Sequence, residues 1–175
     1  MSQKGLIIVH TGNGKGKTTA ALGLAFRMLG HKQKKVAVIQ FIKGSWKYGE
    51  LESAKRFSDN LDFQVMGRGF TYKSEDFSMD VEVAREAWRR ARDVIMANLH
   101  DMVILDELTY LISLKMIPEN EIIDVLTRKP ETMHVVVTGR DATAALIDIA
   151  DLVTEMKEIK HPYVSGTKAQ RGIEF

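Results

Sequence analysis

Thr11-Gly12-Asn13-Gly14-Lys15-Gly16-Lys17-Thr18-Thr19 follows the apolar run Leu6-Ile7-Ile8-Val9 and precedes Ala20-Ala21-Leu22-Gly23-Leu24-Ala25-Phe26. This reads as a buried strand, a glycine-rich turn and a helix start, the setting a phosphate-binding loop requires. Glycines let successive backbone N–H groups turn towards an anion, the first helical turn adds its own unpaired donors, and Lys17 supplies a full positive charge. A polyphosphate suits such a cradle, and Thr18, the hydroxyl after the lysine, is placed as a magnesium ligand. The spacing is irregular. Five residues back from Gly16, where the standard pattern has a glycine, stands Thr11, and the first loop glycine comes one position late at Gly12. The loop is one residue short. A strand-to-helix turn without a ligand has no need of Lys15, Lys17, Thr18 and Thr19 together, so nucleotide binding is the stronger reading.

The chain has 175 residues, 45% hydrophobic and 27% charged, which is ordinary globular composition and is met most simply by a single domain over 1–175. A net charge of +2 is too weak to imply nucleic acid, since an anionic small molecule explains it equally well. The absence of cysteine excludes disulfides, thiolate catalysis and cysteine metal sites. His10, His31, His100, His134 and His161 are scattered without ligand spacing. Met1 to Lys4 lead straight into the first apolar run, and no stretch approaches membrane-spanning length. A cytoplasmic protein with no membrane and no nucleic-acid partner is expected.

Further along, a helix is expected from Thr18 to Leu29 with Gly30 as its stop, then a buried strand from Lys35 to Phe41. Alternating strands and helices argue for an α/β fold. The stretch from Ile42 to Glu50, with two aromatics and two lysines just past a strand end, suits either part of a ligand site or a solvated loop. A short helix over Leu51–Phe57 and a short strand over Asp62–Met66 follow. Gly67 to Lys73 breaks every periodicity, and pattern alone favours Phe70 packed under a loop. Met79 to Leu99 is the clearest long helix. Its apolar residues recur at spacings of three and four, and Arg85, Arg89, Arg90 and Arg92 are diluted by Glu82, Glu86 and Asp93, so a solvated face is favoured over a nucleic-acid patch.

Met102-Val103-Ile104-Leu105-Asp106-Glu107 is an apolar strand ending in two carboxylates. Paired with the upstream loop, Asp106 reads as the acid that holds magnesium beside Thr18, directly or through water. Glu107 has two readings: positioning an attacking water, as in an ATPase, or helping to place the metal. A helix from Pro118 to about Arg128, a strand over Met133–Thr138 and a last strand over Asp151–Ile159 are expected. Arg140 either reaches a phosphate or anchors the Asp141 helix. The tail beyond Lys160 is polar enough for a closing flap.

Gly12 to Thr19, Val38-Ile39-Gln40-Phe41-Ile42-Lys43-Gly44, Gly69-Phe70-Thr71, Leu105 to Tyr110, Thr138-Gly139-Arg140, Lys168-Ala169-Gln170 and Gly172-Ile173 together resemble the ATP:corrinoid adenosyltransferases of the cobalamin pathway. The resemblance spans nearly the whole chain and includes the shortened loop. It implies a RecA-like P-loop fold with a mostly parallel central sheet and helices on both faces, a homodimer, and transfer of the 5′-deoxyadenosyl group of ATP to a cobalt(I) corrinoid with release of triphosphate. It also implies ATP in reversed polarity on the loop, an electron-donating flavoprotein reductase as partner, and Mg2+ held by Thr18 and Glu107 with Asp106 near. ATP would contact Gly12, Asn13, Gly14, Lys15, Gly16, Lys17, Thr18 and Thr19, with Lys17, Thr18 and Glu107 serving catalysis. Phe70 and Tyr72 would close over the corrin and displace its lower axial base. Tyr72 stands where the family commonly has tryptophan, and many relatives carry an N-terminal extension that folds over the site. The competing readings are a RecA-like ATPase driving a protein or nucleic-acid partner, and a nucleotide-binding regulatory module without chemistry.

Overall fold

The computed structural model describes residues 4–44, 48–69 and 77–174. Six parallel strands form one sheet: β1 (Ile7–Thr11), β2 (Val36–Gln40), β3 (Leu61–Val65), β4 (Met102–Asp106), β5 (His134–Thr138) and β6 (Leu152–Glu155), in spatial order β3-β2-β4-β5-β1-β6. Helices α1 (Lys17–Leu29), α2 (Gly49–Ala54), α3 (Phe77–Ala97), α4 (Thr109–Ser113), α5 (Glu119–Thr127) and α6 (Ala144–Asp148) connect them. This is the expected α/β class, and β5 separating β1 from β4 is compatible with a RecA-like arrangement.

Alternation along the strands divides the core in two. Ile7, Val9, Ala37, Ile39, Val103, Leu105, Val135 and Val137 face α3, α4 and α5, where Trp88, Ile95, Leu111, Ile122 and Leu126 are fully enclosed. The Trp88 indole N–H also donates to Glu121 Oε1 at 2.8 Å, which ties α3 to α5. Ile8, Val36, Val38, Met102, Ile104 and Val136 point the other way, onto Ala21 and Ala25 of α1. Small residues on α1 let it lie close against the sheet, and the helix begins directly after the glycine loop.

Most expected elements lie within two residues of their predicted limits. The last strand is shorter, ending at Glu155 where Ile159 was expected. Gly30 does cap α1, but in right-handed backbone that any residue adopts. Helix α4 was not anticipated; five residues are too few to establish a helical period. On α3, Arg89 pairs with Glu86 at 2.6 Å and Arg92 with Asp93 at 3.4 Å, as a solvated face does.

Candidate active site

The glycine loop joins β1 to α1 and lies against the chain leaving β6. Gly12 and Gly16 have φ of +94° and +112°, left-handed backbone that favours glycine. A side chain at Gly12 would also meet Met156 O at 2.5 Å. The Gly14 N–H donates to Met156 O at 2.6 Å, so this amide, one of those expected to face an anion, is committed to the neighbouring chain. Gly16 caps α1 without a side-chain acceptor, which leaves the first-turn amides open to a ligand. Lys17 Nζ bridges two loop carbonyls, Gly12 O at 2.6 Å and Gly14 O at 2.7 Å. Burial, then the Arg140 charge, holds its pKa below the ordinary lysine range. Asn13 is exposed at the loop tip, Thr19 is exposed on the first turn, and Lys15 pairs with Glu174 of the tail at 3.4 Å.

Beneath the loop, the α1-facing series of four adjacent strands each end in a polar residue: Ile8 leads to His10, Val38 to Gln40, Ile104 to Asp106 and Val136 to Thr138. Thr18 Oγ1 donates to Asp106 Oδ1 at 2.8 Å, Thr138 Oγ1 donates to the same oxygen at 2.7 Å, and Gln40 Nε2 donates to Oδ2 at 2.8 Å. Asp106, 1% exposed, is thus held by three neutral donors. Behind Gln40, the Tyr48 hydroxyl donates to its Oε1. Burial, with Glu50 and Asp106 adding, pushes the Tyr48 pKa up to about 12 and keeps that proton in place. His10 is buried with both ring nitrogens unpartnered, and burial lowers its pKa.

Glu107 follows β4 in left-handed backbone, φ +66°, with its N–H donated to Thr138 Oγ1 at 2.9 Å. Its pKa is raised to about 7, by burial first and Asp106 second, against the opposing charges of Lys43, Lys17 and Arg140. The charges of Lys43, Lys17 and Arg140 thus oppose the mutual repulsion of the two acids. The Arg140 charge is felt at both Lys17 and Glu107. Lys43 and Tyr48 bring the described part of the 42–50 stretch to the site as well, with Lys43 Nζ 4.6 Å from the centre of the Tyr48 ring.

The structure therefore brings Lys17, Thr18, Asp106 and Glu107 together. Phe70 and Tyr72 lie outside the described residues. Sequence reasoning passed over Gln40, Thr138, Lys43 and Tyr48 as individual contributors. The first two carry the signal that singled out Asp106: each is a polar residue closing an apolar strand.

Fold and site define an α/β protein that offers a helix N-terminus to an anion beside an acidic, oxygen-rich centre. A family model described as ATP:corrinoid adenosyltransferase BtuR/CobO/CobP matches residues 3–175. A corrinoid adenosyltransferase of Sinorhizobium sp is 47% identical over 175 residues, covering 99% of this chain and 81% of that protein. The corrinoid adenosyltransferase of Escherichia coli (strain K12) and the corrinoid adenosyltransferase CobA of Salmonella typhimurium are each 42% identical over 173 residues, 99% of this chain and 87% of theirs. The chain belongs to the ATP:corrinoid adenosyltransferase family.

Proposed function

We propose that this protein transfers the 5′-deoxyadenosyl group of ATP to the cobalt(I) centre of a corrinoid, releasing triphosphate. Family membership over residues 3–175 carries the reading. The glycine loop, with Lys17 and the open first turn of α1, supports a polyphosphate there. In the reaction the electron pair of cobalt(I) forms the bond to C5′ while the C5′–O5′ bond breaks and its pair leaves on triphosphate. Cobalt(I) is a strong nucleophile, so no general base is required. Alignment and charge neutralisation are what the chain supplies. Lys15, Lys17 and Arg140 stabilise the departing triphosphate. The ribose end of ATP faces the corrinoid, with the γ-phosphate where other phosphate loops hold the α-phosphate.

Magnesium suits the residues present. Thr18, Asp106 and Glu107 offer only oxygen, and among the described residues Asp106 has no cationic hydrogen-bond partner. Among the described residues no three acidic or histidine side chains form a complete cage. Magnesium needs none, because it keeps waters and takes phosphate oxygens alongside one or two carboxylates. Bound there, it neutralises phosphate charge. By family likeness Phe70 and Tyr72 would close over the corrin. Family likeness further supports a single-domain, cytoplasmic homodimer served by a flavoprotein reductase and acting without nucleic acid or membrane. Among the described residues no helix is long and apolar enough to cross a membrane.

Anaerobic incubation with ATP, magnesium and chemically reduced corrinoid tests the reaction. Triphosphate with an adenosylated corrinoid is the expected outcome. Orthophosphate alone would make the chain an ATPase, and unchanged ATP a binding module.

A further inference from the structure

We propose that Tyr48 is a positioning residue for the phosphate and metal centre: its hydroxyl orients Gln40, which aims the Asp106 carboxylate at Thr18. The proposal rests on the ATP and magnesium reading above.

The polarity of this chain of hydrogen bonds follows from its acidic end. An ionised carboxylate only accepts, so Gln40 must present its amide N–H to Asp106 Oδ2, at 2.8 Å. Its Oε1 is then turned the other way, and there the Tyr48 hydroxyl donates to it. Gln40 is 0% exposed, so water offers Oε1 no ready substitute for that proton. Without it Oε1 is left buried and unsatisfied, and the amide keeps its bond to Asp106 but loses the second contact that fixes its position. Among the described residues Asp106 has only neutral donors, so loosening one of them leaves its carboxylate less firmly aimed at Thr18.

Tyr48 is anchored on its other side too. Lys43 Nζ lies over its ring at 4.6 Å and pairs with Glu50 at 3.5 Å. The residue stands immediately before α2, at the end of the segment leaving β2. One side chain thus joins that segment to the floor beneath the phosphate loop. A tyrosine kept only to fill space would be replaced by phenylalanine without consequence, and the hydroxyl is what separates the two roles.

Tyr48→Phe keeps the ring and its contact with Lys43. Binding of a fluorescent ATP analogue, followed without corrinoid in magnesium and in EDTA, provides a readout independent of turnover. In the wild type, magnesium tightens binding. In Tyr48→Phe the tightening should shrink by about three- to tenfold, the weight of one buried hydrogen bond, while affinity in EDTA stays unchanged. In a Thr18→Ala background the same substitution should add nothing, because the carboxylate has lost the group it is aimed at. Equal tightening in wild type and Tyr48→Phe overturns the proposal, as does an equal loss in magnesium and EDTA or an equal loss in both backgrounds. A wild type indifferent to magnesium overturns the magnesium reading itself, and the proposal with it.

Discussion

Glu107 shows how a single side chain registers its surroundings. Its backbone turns left-handed directly after β4, and burial beside Asp106 raises its pKa from 4.5 to about 7. A carboxyl raised on folding binds more protons in the folded state than in the unfolded one, so stability falls as pH climbs from 4.5 to about 7 and then levels. Ligand-free protein should lose thermal midpoint between pH 5 and 8, and Glu107→Gln should reduce that loss. Magnesium bound at Glu107 would favour the ionised carboxylate and release its proton. Calorimetry of magnesium binding near pH 7, in buffers of different ionisation enthalpy, should register proton release in the wild type and less in the variant. Lys17 Nζ donates to two loop carbonyls. Lys17→Ala should lower kcat/KM for ATP by about a hundredfold or more, as loss of a charge-stabilising donor does, measured by corrinoid adenosylation under anaerobic conditions.

The elements around the loop differ sharply in how much change they tolerate. At Gly12 a methyl group would meet the Met156 carbonyl, in backbone that already disfavours side chains. Gly12→Ala should weaken ATP binding by displacing the loop from the chain beyond β6. Gly23 lies inside α1 with nothing within 4 Å of the position a Cβ would take. Gly23→Ala should stabilise the protein by about 0.5–1 kcal/mol, because it lowers the freedom of the unfolded chain and suits a helix interior. ATP titration of Gly12→Ala and a denaturant melt of Gly23→Ala, each beside the wild type, would show the two effects. At this scale most strands and the long helix were legible from apolar periodicity. Helix α4 was hidden because five residues cannot display a period, and the last strand ends early where its residues lose the partner strand that would pair them.

Across the whole molecule, one sheet carries both layers of the core, and the site spans four neighbouring strands. Such a molecule should unfold in a single cooperative transition, with the midpoint moving upward when ATP and magnesium are added. Separate transitions in calorimetry, only one of them responsive to the nucleotide, would point to two domains. By itself the sequence determined the α/β class, the family and the pairing of Lys17 and Thr18 with Asp106 and Glu107, because these depend on local periodicity and on motifs contiguous along the chain. Only the tertiary structure decided that Thr138 and Gln40 flank Asp106, that Tyr48 stands behind Gln40, and that the Gly14 amide serves Met156. Which residues meet across a parallel sheet is set by the order of its strands. Here β5, late in the chain, lies between β1 and β4, an adjacency fixed by packing on both faces at once and by no stretch of sequence alone.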